Sequence, residues 1–182
     1  MIDVFFCSMQ GALPIRQQML NLCLKRWESE PISMIHICGS LGYEGFQLKR
    51  RQDSEKYSHG DIYSCADDDC FPQSEPFVEK AVEIMEKHQQ FGILSLWPSN
   101  CIINHWSPGD GYEVFEDDEV MEHVSVGGIR FCRKGIVKEW PPQTGKGYDR
   151  EHCEAIRAAG YKVGYFKNLK MNHLGEGYST VW

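Results

Sequence analysis

One segment constrains this chain more than any other: Asp61-Ile-Tyr-Ser-Cys-Ala-Asp67-Asp68-Asp69-Cys-Phe-Pro72, a β-rich apolar run that stops on three consecutive aspartates. Carboxylates are costly inside a buried strand, so the aspartates should stand at its carboxyl end, the edge where open α/β sheets take their ligands. Three adjacent anions repel one another, and a divalent cation carrying a phosphate ligand would neutralise them. Carboxylate oxygens suit Mg²⁺ or Mn²⁺. The same residues would also serve as a solvated acidic turn, or as the N-cap of a helix before Phe77. Spacing alone leaves both readings open.

The surrounding pattern supplies the sheet. Ile2 to Cys7 reads as a strand, then Gly11 and Pro14 precede Ile15, Met19, Leu22, Cys23 and Trp27 at helical spacing. Ile32 to Cys38 is a near-continuous apolar run, expected of a strand covered on both faces. Arg50 to Ser58 reads as a short helix and Asp61 to Ala66 as a third strand. Pro76 opens an amphipathic helix with Phe77, Ala81, Ile84 or Met85, and His88 on one side. Phe91 to Trp97 and Cys101 to Trp106 read as strands, Ser107 to Glu122 as a solvated acidic loop and Val124 to Phe131 as strand-like. Trp140 to Gly147 is a loop able to move, and a last helix from about Asp149 to Ala159 stops at Gly160. Tyr161 to Phe166 and Lys170 to His173 close the pattern as two strand-like segments. Strands alternating with helices predict a single α/β domain built on a mixed, mainly parallel central sheet flanked by helices.

Composition narrows the function. Nineteen basic against 26 acidic residues leave a formal charge of -7, so no global basic field exists to hold nucleic acid or an anionic membrane. An anionic substrate then needs a local reversal of field, such as a metal ion. The uncharged stretch from Phe91 to Gly109 contains Pro98, Pro108, Asn100, Asn104 and His105, so no integral membrane segment is expected. Met1 to Gln10 carries Asp3 and lacks an export signal's basic start and small-residue cleavage site, which predicts a cytoplasmic protein. Eight cysteines stand singly, without a Cys-x-x-Cys pair, and are expected as buried free thiols.

A second block, Gly147-Tyr-Asp149-Arg-Glu151-His-Cys-Glu154-Ala-Ile-Arg-Ala-Ala-Gly160-Tyr-Lys-Val-Gly-Tyr165, puts carboxylates in a first helical turn. There they can stabilise the helix dipole, or stand after a mobile loop to accept a proton from a hydroxyl. Taken with the Asp-x-Asp strand end, Val126-Gly127-Gly128-Ile129 and a late Asn-His173, this order of motifs resembles the nucleotide-sugar glycosyltransferases of GT-A fold, the large family-2 group in particular. Tyr148 stands where many of those proteins carry an acidic residue, and Cys38-Gly39-Ser40 where an acidic residue often reads the nucleobase.

The resemblance implies a GT-A fold, with residues 1–75 as a nucleotide-binding half ending in Asp-x-Asp and 76–182 as a donor-sugar and acceptor half, together a minimal catalytic core. It implies metal-dependent transfer of a sugar from a nucleotide diphosphate sugar, UDP-sugar favoured, to an acceptor hydroxyl of a glycan or small compound, with inversion and some slow donor hydrolysis. Asp69, with Asp67 as a further metal residue, would hold Mn²⁺ or Mg²⁺, Asp69 being its direct ligand; His173 would complete the shell, and Asp67 or Asp68 would face ribose or a metal-bound water. Asp149 matches the catalytic base, with Glu151 next in line, and Gly127 and Gly128 match a segment that approaches donor and acceptor, though a β-bulge would also explain them. Ser8, Met9 and Gly39 are expected along base and ribose, with Arg51 or Lys56 against base or phosphate. A nucleotide-sugar-binding module without turnover and a two-metal phosphoryl transferase are the alternatives.

Overall fold

The computed structural model describes residues 1–8, 14–39, 46–73, 76–101, 112–140 and 148–174. Its strands are β1 (Ile2–Ser8), β2 (Ile32–Gly39), β3 (Ile62–Asp67), β4 (Cys70–Pro72), β5 (Phe91–Pro98), β6 (Val120–Glu122), β7 (Arg130–Arg133) and β8 (Lys162–His173). Between them run α1 (Pro14–Trp27), α2 (Phe46–Tyr57), α3 (Val78–Lys87) and α4 (Tyr148–Ala158). The strands make one sheet in the order β2-β1-β3-β7-β5-β8-β4, with β6 pairing β8. β1, β2, β3, β5 and β8 run one way and β4, β6 and β7 the other. The result is the mixed, mainly parallel sheet that the alternation of strands and helices predicts.

Alternation along β1 divides the core between two faces. Val4 and Phe6 point to one, where Trp27 of α1 meets Phe6 edge-on at 5.8 Å and Phe77 at 4.7 Å. Phe5 points to the other, among Tyr63, Ile93, Val163 and Ile156 of α4. Asp3 is buried inside β1, and the backbone N–H of His59 donates to its carboxylate at 2.7 Å. Another buried carboxylate explains how α3 starts. Its N-cap, Phe77, has no capping side chain, and Glu30 from the turn before β2 accepts the N–H groups of Phe77 and Val78 instead.

Four expectations change. Ile32 to Cys38 is not covered on both faces: β2 is an edge strand, with Met34 and Ile37 exposed. Val124 to Phe131 is extended only from Arg130 onward, because Gly128 adopts φ +73° and turns the chain, while Ser95 Oγ donates to the Gly127 and Ile129 carbonyls at 2.6 and 2.9 Å. The acidic loop through Glu122 is not wholly solvated. Glu122 is buried in β6, where Lys162 donates to it at 2.5 Å and Tyr112 and the Phe115 N–H donate as well. The two closing segments form one strand, β8, whose polar middle serves that loop: Lys167 Nζ donates to Glu116 and Asn168 Nδ2 to the Asp118 carbonyl. Cys101 lies in a bend; the rest of its expected strand, 102–106, and loop residues 141–147 lie outside the described residues. All eight cysteines are free thiols, six of them buried.

Candidate active site

Parallel register gathers the functional side chains at one sheet edge. Ser8 at the end of β1 stands opposite Gly39 at the end of β2, and on its other side β1 pairs Cys7 with Asp67 of β3. Ser8 Oγ is buried and has no hydrogen-bond partner among the described residues, an orphaned hydroxyl at the edge where a ligand is expected. Met9 lies outside the described residues.

The aspartates at the end of β3 and just beyond it are each held by a cation of the chain itself. Arg50 Nη1 donates to Asp67 Oδ1 at 2.7 Å and to the Ala66 carbonyl at 3.2 Å. Arg16, in the first turn of α1, pairs with Asp68 at 2.7 Å through one nitrogen and with Asp69 Oδ2 through the other. His173 Nε2 faces the remaining oxygen, Asp69 Oδ1, at 3.4 Å. Burial works to raise the Asp69 pKa, but the His173 contact and then Arg16 outweigh it and hold this carboxyl at about 2. Hydrogen bonding to Asp69 in turn raises His173, against the opposing effect of burial. The repulsion expected among three adjacent anions is therefore relieved by Arg16 and Arg50, which no motif in the sequence singles out. Their motif positions carry no signal; only the sheet brings α1 and α2 to this edge.

Arg130 is a third such residue. It is fully buried on β7, donates from Nη1 to Asp149 Oδ1 at 2.5 Å, and holds Nη2 at 3.9 Å from Asp67 Oδ1. It thus ties the end of β3 to the first turn of α4. Asp149 is 39% exposed at its side chain, and its second oxygen occupies space that Gly127 leaves open: a Cβ there would lie 2.7 Å from Oδ2. At the next residue, a Cβ on Gly128 would meet Met171 Cε at 2.4 Å and Cys70 Sγ at 3.1 Å. The glycine pair thus touches Asp149 through one residue and Cys70, the neighbour of Asp69, through the other.

Other candidates fall elsewhere. Arg51 is buried on α2 with its guanidinium 5.9 Å from the Trp140 ring, and burial together with Arg130 and Arg50 lowers its pKa to about 10. Lys56 is exposed over the Tyr57 ring. Glu151 is buried. His152, also buried, stands edge-on to Trp140 at 4.9 Å, and burial plus Arg51, Arg130 and Arg50 push its pKa well below the ordinary imidazole value.

For a metal, a carboxylate oxygen of Asp69, the Cys70 thiol and a ring nitrogen of His173 lie within 4.8 Å of one another. Carboxylate and imidazole fit a divalent cation. Asp67, expected with them, is held by Arg50 and faced by Arg130 instead. Cys70 was not expected; its signal is register, since β4 sets it directly opposite His173.

The sequence matches no protein-family model. No curated protein matches it either. Solved structures do resemble the fold. S. aureus TarS 1-349 superposes with a TM-score of 0.61 at 10% identity, over 93% of this chain and 58% of TarS 1-349. A197 from STIV gives 0.54 at 14% identity over 95% of this chain and 85% of its own. GalNAc-T7, solved with UDP, GalNAc and Mn²⁺, gives 0.60 at 12% identity over 94% of this chain and 42% of its own. This chain spans less than two thirds of TarS 1-349 and of GalNAc-T7. Its fold is the GT-A-like fold of nucleotide-sugar glycosyltransferases.

Proposed function

We propose that this chain is a metal-dependent, inverting glycosyltransferase that moves a sugar from a nucleotide diphosphate sugar, by preference a UDP-sugar, to an acceptor hydroxyl. The observation that carries the reading is the Gly127–Gly128 pair: the first abuts the part-exposed carboxylate of Asp149, and the second abuts Cys70, which groups with Asp69 and His173. A proton acceptor and a cation site flanking one glycine pair suit displacement at a sugar carbon with a diphosphate leaving group. Support also comes from the structural neighbours: TarS 1-349 is known in complex with UDP-GlcNAc and with UDP, and GalNAc-T7 with UDP, GalNAc and Mn²⁺.

Mn²⁺ or Mg²⁺ held by Asp69 and His173 would supply Lewis-acid stabilisation of the leaving diphosphate. The chain's own residues do the rest. Arg130 occupies Asp149 Oδ1, so Oδ2, beside Gly127, is the oxygen left to orient the acceptor hydroxyl and take its proton. Arg50 fixes Asp67 as an acceptor for ribose hydroxyls, while Ser8 and Gly39 line the nucleoside, in the half of the chain up to residue 75. Water reaching Oδ2 in place of acceptor gives slow donor hydrolysis. The eight free thiols fit a reducing compartment, and we place the protein in the cytoplasm.

A two-metal phosphoryl transferase fits less well, because Arg50 and Arg16 already engage Asp67 and Asp68. A timed assay of nucleotide release from a panel of nucleotide sugars, with Mn²⁺ or with EDTA, tests the proposal. Mn²⁺-dependent release that Asp149→Asn suppresses supports it. Donor binding without any release would make the protein a binding module.

A further inference from the structure

Cys70 stands beside Asp69 and His173, and the reaction as proposed gives it no task. We infer that its thiol is the third protein ligand of the cation site, making an Asp69-Cys70-His173 set that selects a thiophilic divalent ion, Zn²⁺ or Co²⁺, over Mg²⁺. The inference rests on the metal role proposed for Asp69 and His173.

Register brings the set together. Cys70 of β4 lies directly opposite His173 of β8 in antiparallel pairing, so the two side chains share one face of the sheet. Asp69 occupies the turn one residue earlier, locked there as the Leu174 N–H donates to its carbonyl at 2.6 Å. The donor atoms are already close. Asp69 Oδ1 is 3.4 Å from His173 Nε2 and 3.8 Å from Cys70 Sγ, and no pair in the group exceeds 4.8 Å. A four-coordinate ion bound at about 2.3 Å to sulfur and about 2.0–2.1 Å to nitrogen or oxygen needs donor separations of roughly 3.3–3.6 Å. Closing the set therefore takes a contraction of about 1.2 Å at most.

The surroundings leave those atoms available. Arg16 holds Asp69 by Oδ2, which aims Oδ1 toward His173 and Cys70. The Cys23 thiol donates to the Cys70 carbonyl oxygen at 3.1 Å, not to its sulfur. Glycine at 128 leaves the sulfur room, since a Cβ there would lie 3.1 Å from it. Burial first, then Asp69 and the nearby Asp67, raise the pKa of this thiol. Binding forms one metal–sulfur bond and releases one proton to solvent, with no change of oxidation state. Three protein ligands leave a further position for water or a diphosphate oxygen. Sulfur is the donor that discriminates, because thiolates favour Zn²⁺ and Co²⁺ whereas Mg²⁺ prefers oxygen alone.

The test is titration of the full chain, thiols reduced, with Co²⁺, followed by the sulfur-to-cobalt charge-transfer absorption in the near ultraviolet. The band should appear in the parent, persist in Cys38→Ser and Cys101→Ser, and vanish in Cys70→Ser, with Co²⁺ affinity lower by about 10-fold or more. Zn²⁺ should displace Co²⁺ at concentrations where Mg²⁺ does not. Circular dichroism checks that Cys70→Ser is folded, and the parent spectrum stands as evidence without any variant. Saturable Co²⁺ binding without a sulfur band, or a band that survives Cys70→Ser, overturns sulfur ligation and leaves the metal role of Asp69 and His173 standing. Failure of Co²⁺, Zn²⁺ and Mn²⁺ alike to bind overturns both.

Discussion

Asp149 carries two different bonds in one carboxylate, and that division decides what its replacement should do. Oδ1 accepts a hydrogen bond from Arg130 Nη1 at 2.5 Å and Oδ2 faces the space beside Gly127. In Asp149→Asn the shape survives and the basic oxygen is lost. Donor binding should persist while transfer falls on the order of 10²-fold or more, the scale of general-base catalysis. A residue that merely stabilised the helix end would cost roughly 0.3–1 kcal/mol of stability and leave turnover intact. Comparing single-turnover rates with calorimetric donor affinity separates the two. Gly127→Ala probes the same oxygen from the other side. The backbone at Gly127 has no positive φ, so alanine is tolerated there, but its Cβ would stand 2.7 Å from Oδ2 and push the carboxylate aside. Transfer should drop about 10- to 10²-fold, as misplacement of a reacting group by less than an ångström or so implies. An alanine variant with the parent's rate would show that Oδ2 does not meet the acceptor. Asp149 and the glycine pair are legible in sequence because they sit in local motifs. Arg16, Arg50 and Arg130 are not, because nothing within a few residues of each marks it; their partners are 53, 17 and 19 positions away.

Among elements, the legible ones are those whose burial follows a simple pattern: β1, β3 and β5 as apolar runs, α3 by its buried face of Val78, Ala81, Ile84 and Met85, and α4 by its glycine stop at φ +89°. β2 is apolar as well but lies at the sheet edge, where Met34 and Ile37 are exposed. The three-residue strands β4 and β6 are too short to show a period, and β8 is interrupted by Lys167 and Asn168, which serve a loop 50 residues earlier. Long-range carboxylates settle what periodicity leaves open. Glu30 accepts the first N–H groups of α3, so Glu30→Ala should destabilise the protein by about 1–2 kcal/mol in urea unfolding, the range for a lost N-cap. Glu122 pins β6 to β8 through Lys162. Burial opposes its ionisation, but Lys162, Tyr112 and the Phe115 N–H together hold its pKa below the ordinary value. A depressed carboxyl stabilises the fold above its unfolded pKa of about 4.3 and loses that contribution as pH falls through the folded value. Stability of the parent should therefore fall more steeply below about pH 4.3 than that of Glu122→Gln. Parallel acid limbs for the two proteins would mean that the Glu122–Lys162 pair contributes nothing to folding.

Over the whole molecule a formal charge of -7 coexists with a site where Asp67, Asp68, Asp69 and Asp149 face Arg16, Arg50, Arg130 and His173. Composition reads the first fact and is blind to the second, since only the sheet order places α1, α2, β7 and α4 around one edge. The balance means that the fold itself has no need of a metal: the carboxylates are already compensated. A diphosphate adds new negative charge beside them, and that addition is what calls for a cation. EDTA alone should therefore shift the melting temperature by less than about 2 °C. Mn²⁺ with a UDP-sugar at about 100 times its dissociation constant should add about 2.7 kcal/mol by mass action. For a chain of this size that is a rise of roughly 5–10 °C. The same UDP-sugar in EDTA should produce no rise. A large drop in EDTA alone would show that the arginines do not compensate the aspartates and that the metal is structural. An equal rise with and without EDTA would show that Arg16, Arg50 and Arg130 hold the diphosphate unaided, and the cation role assigned to Asp69 and His173 would go with it.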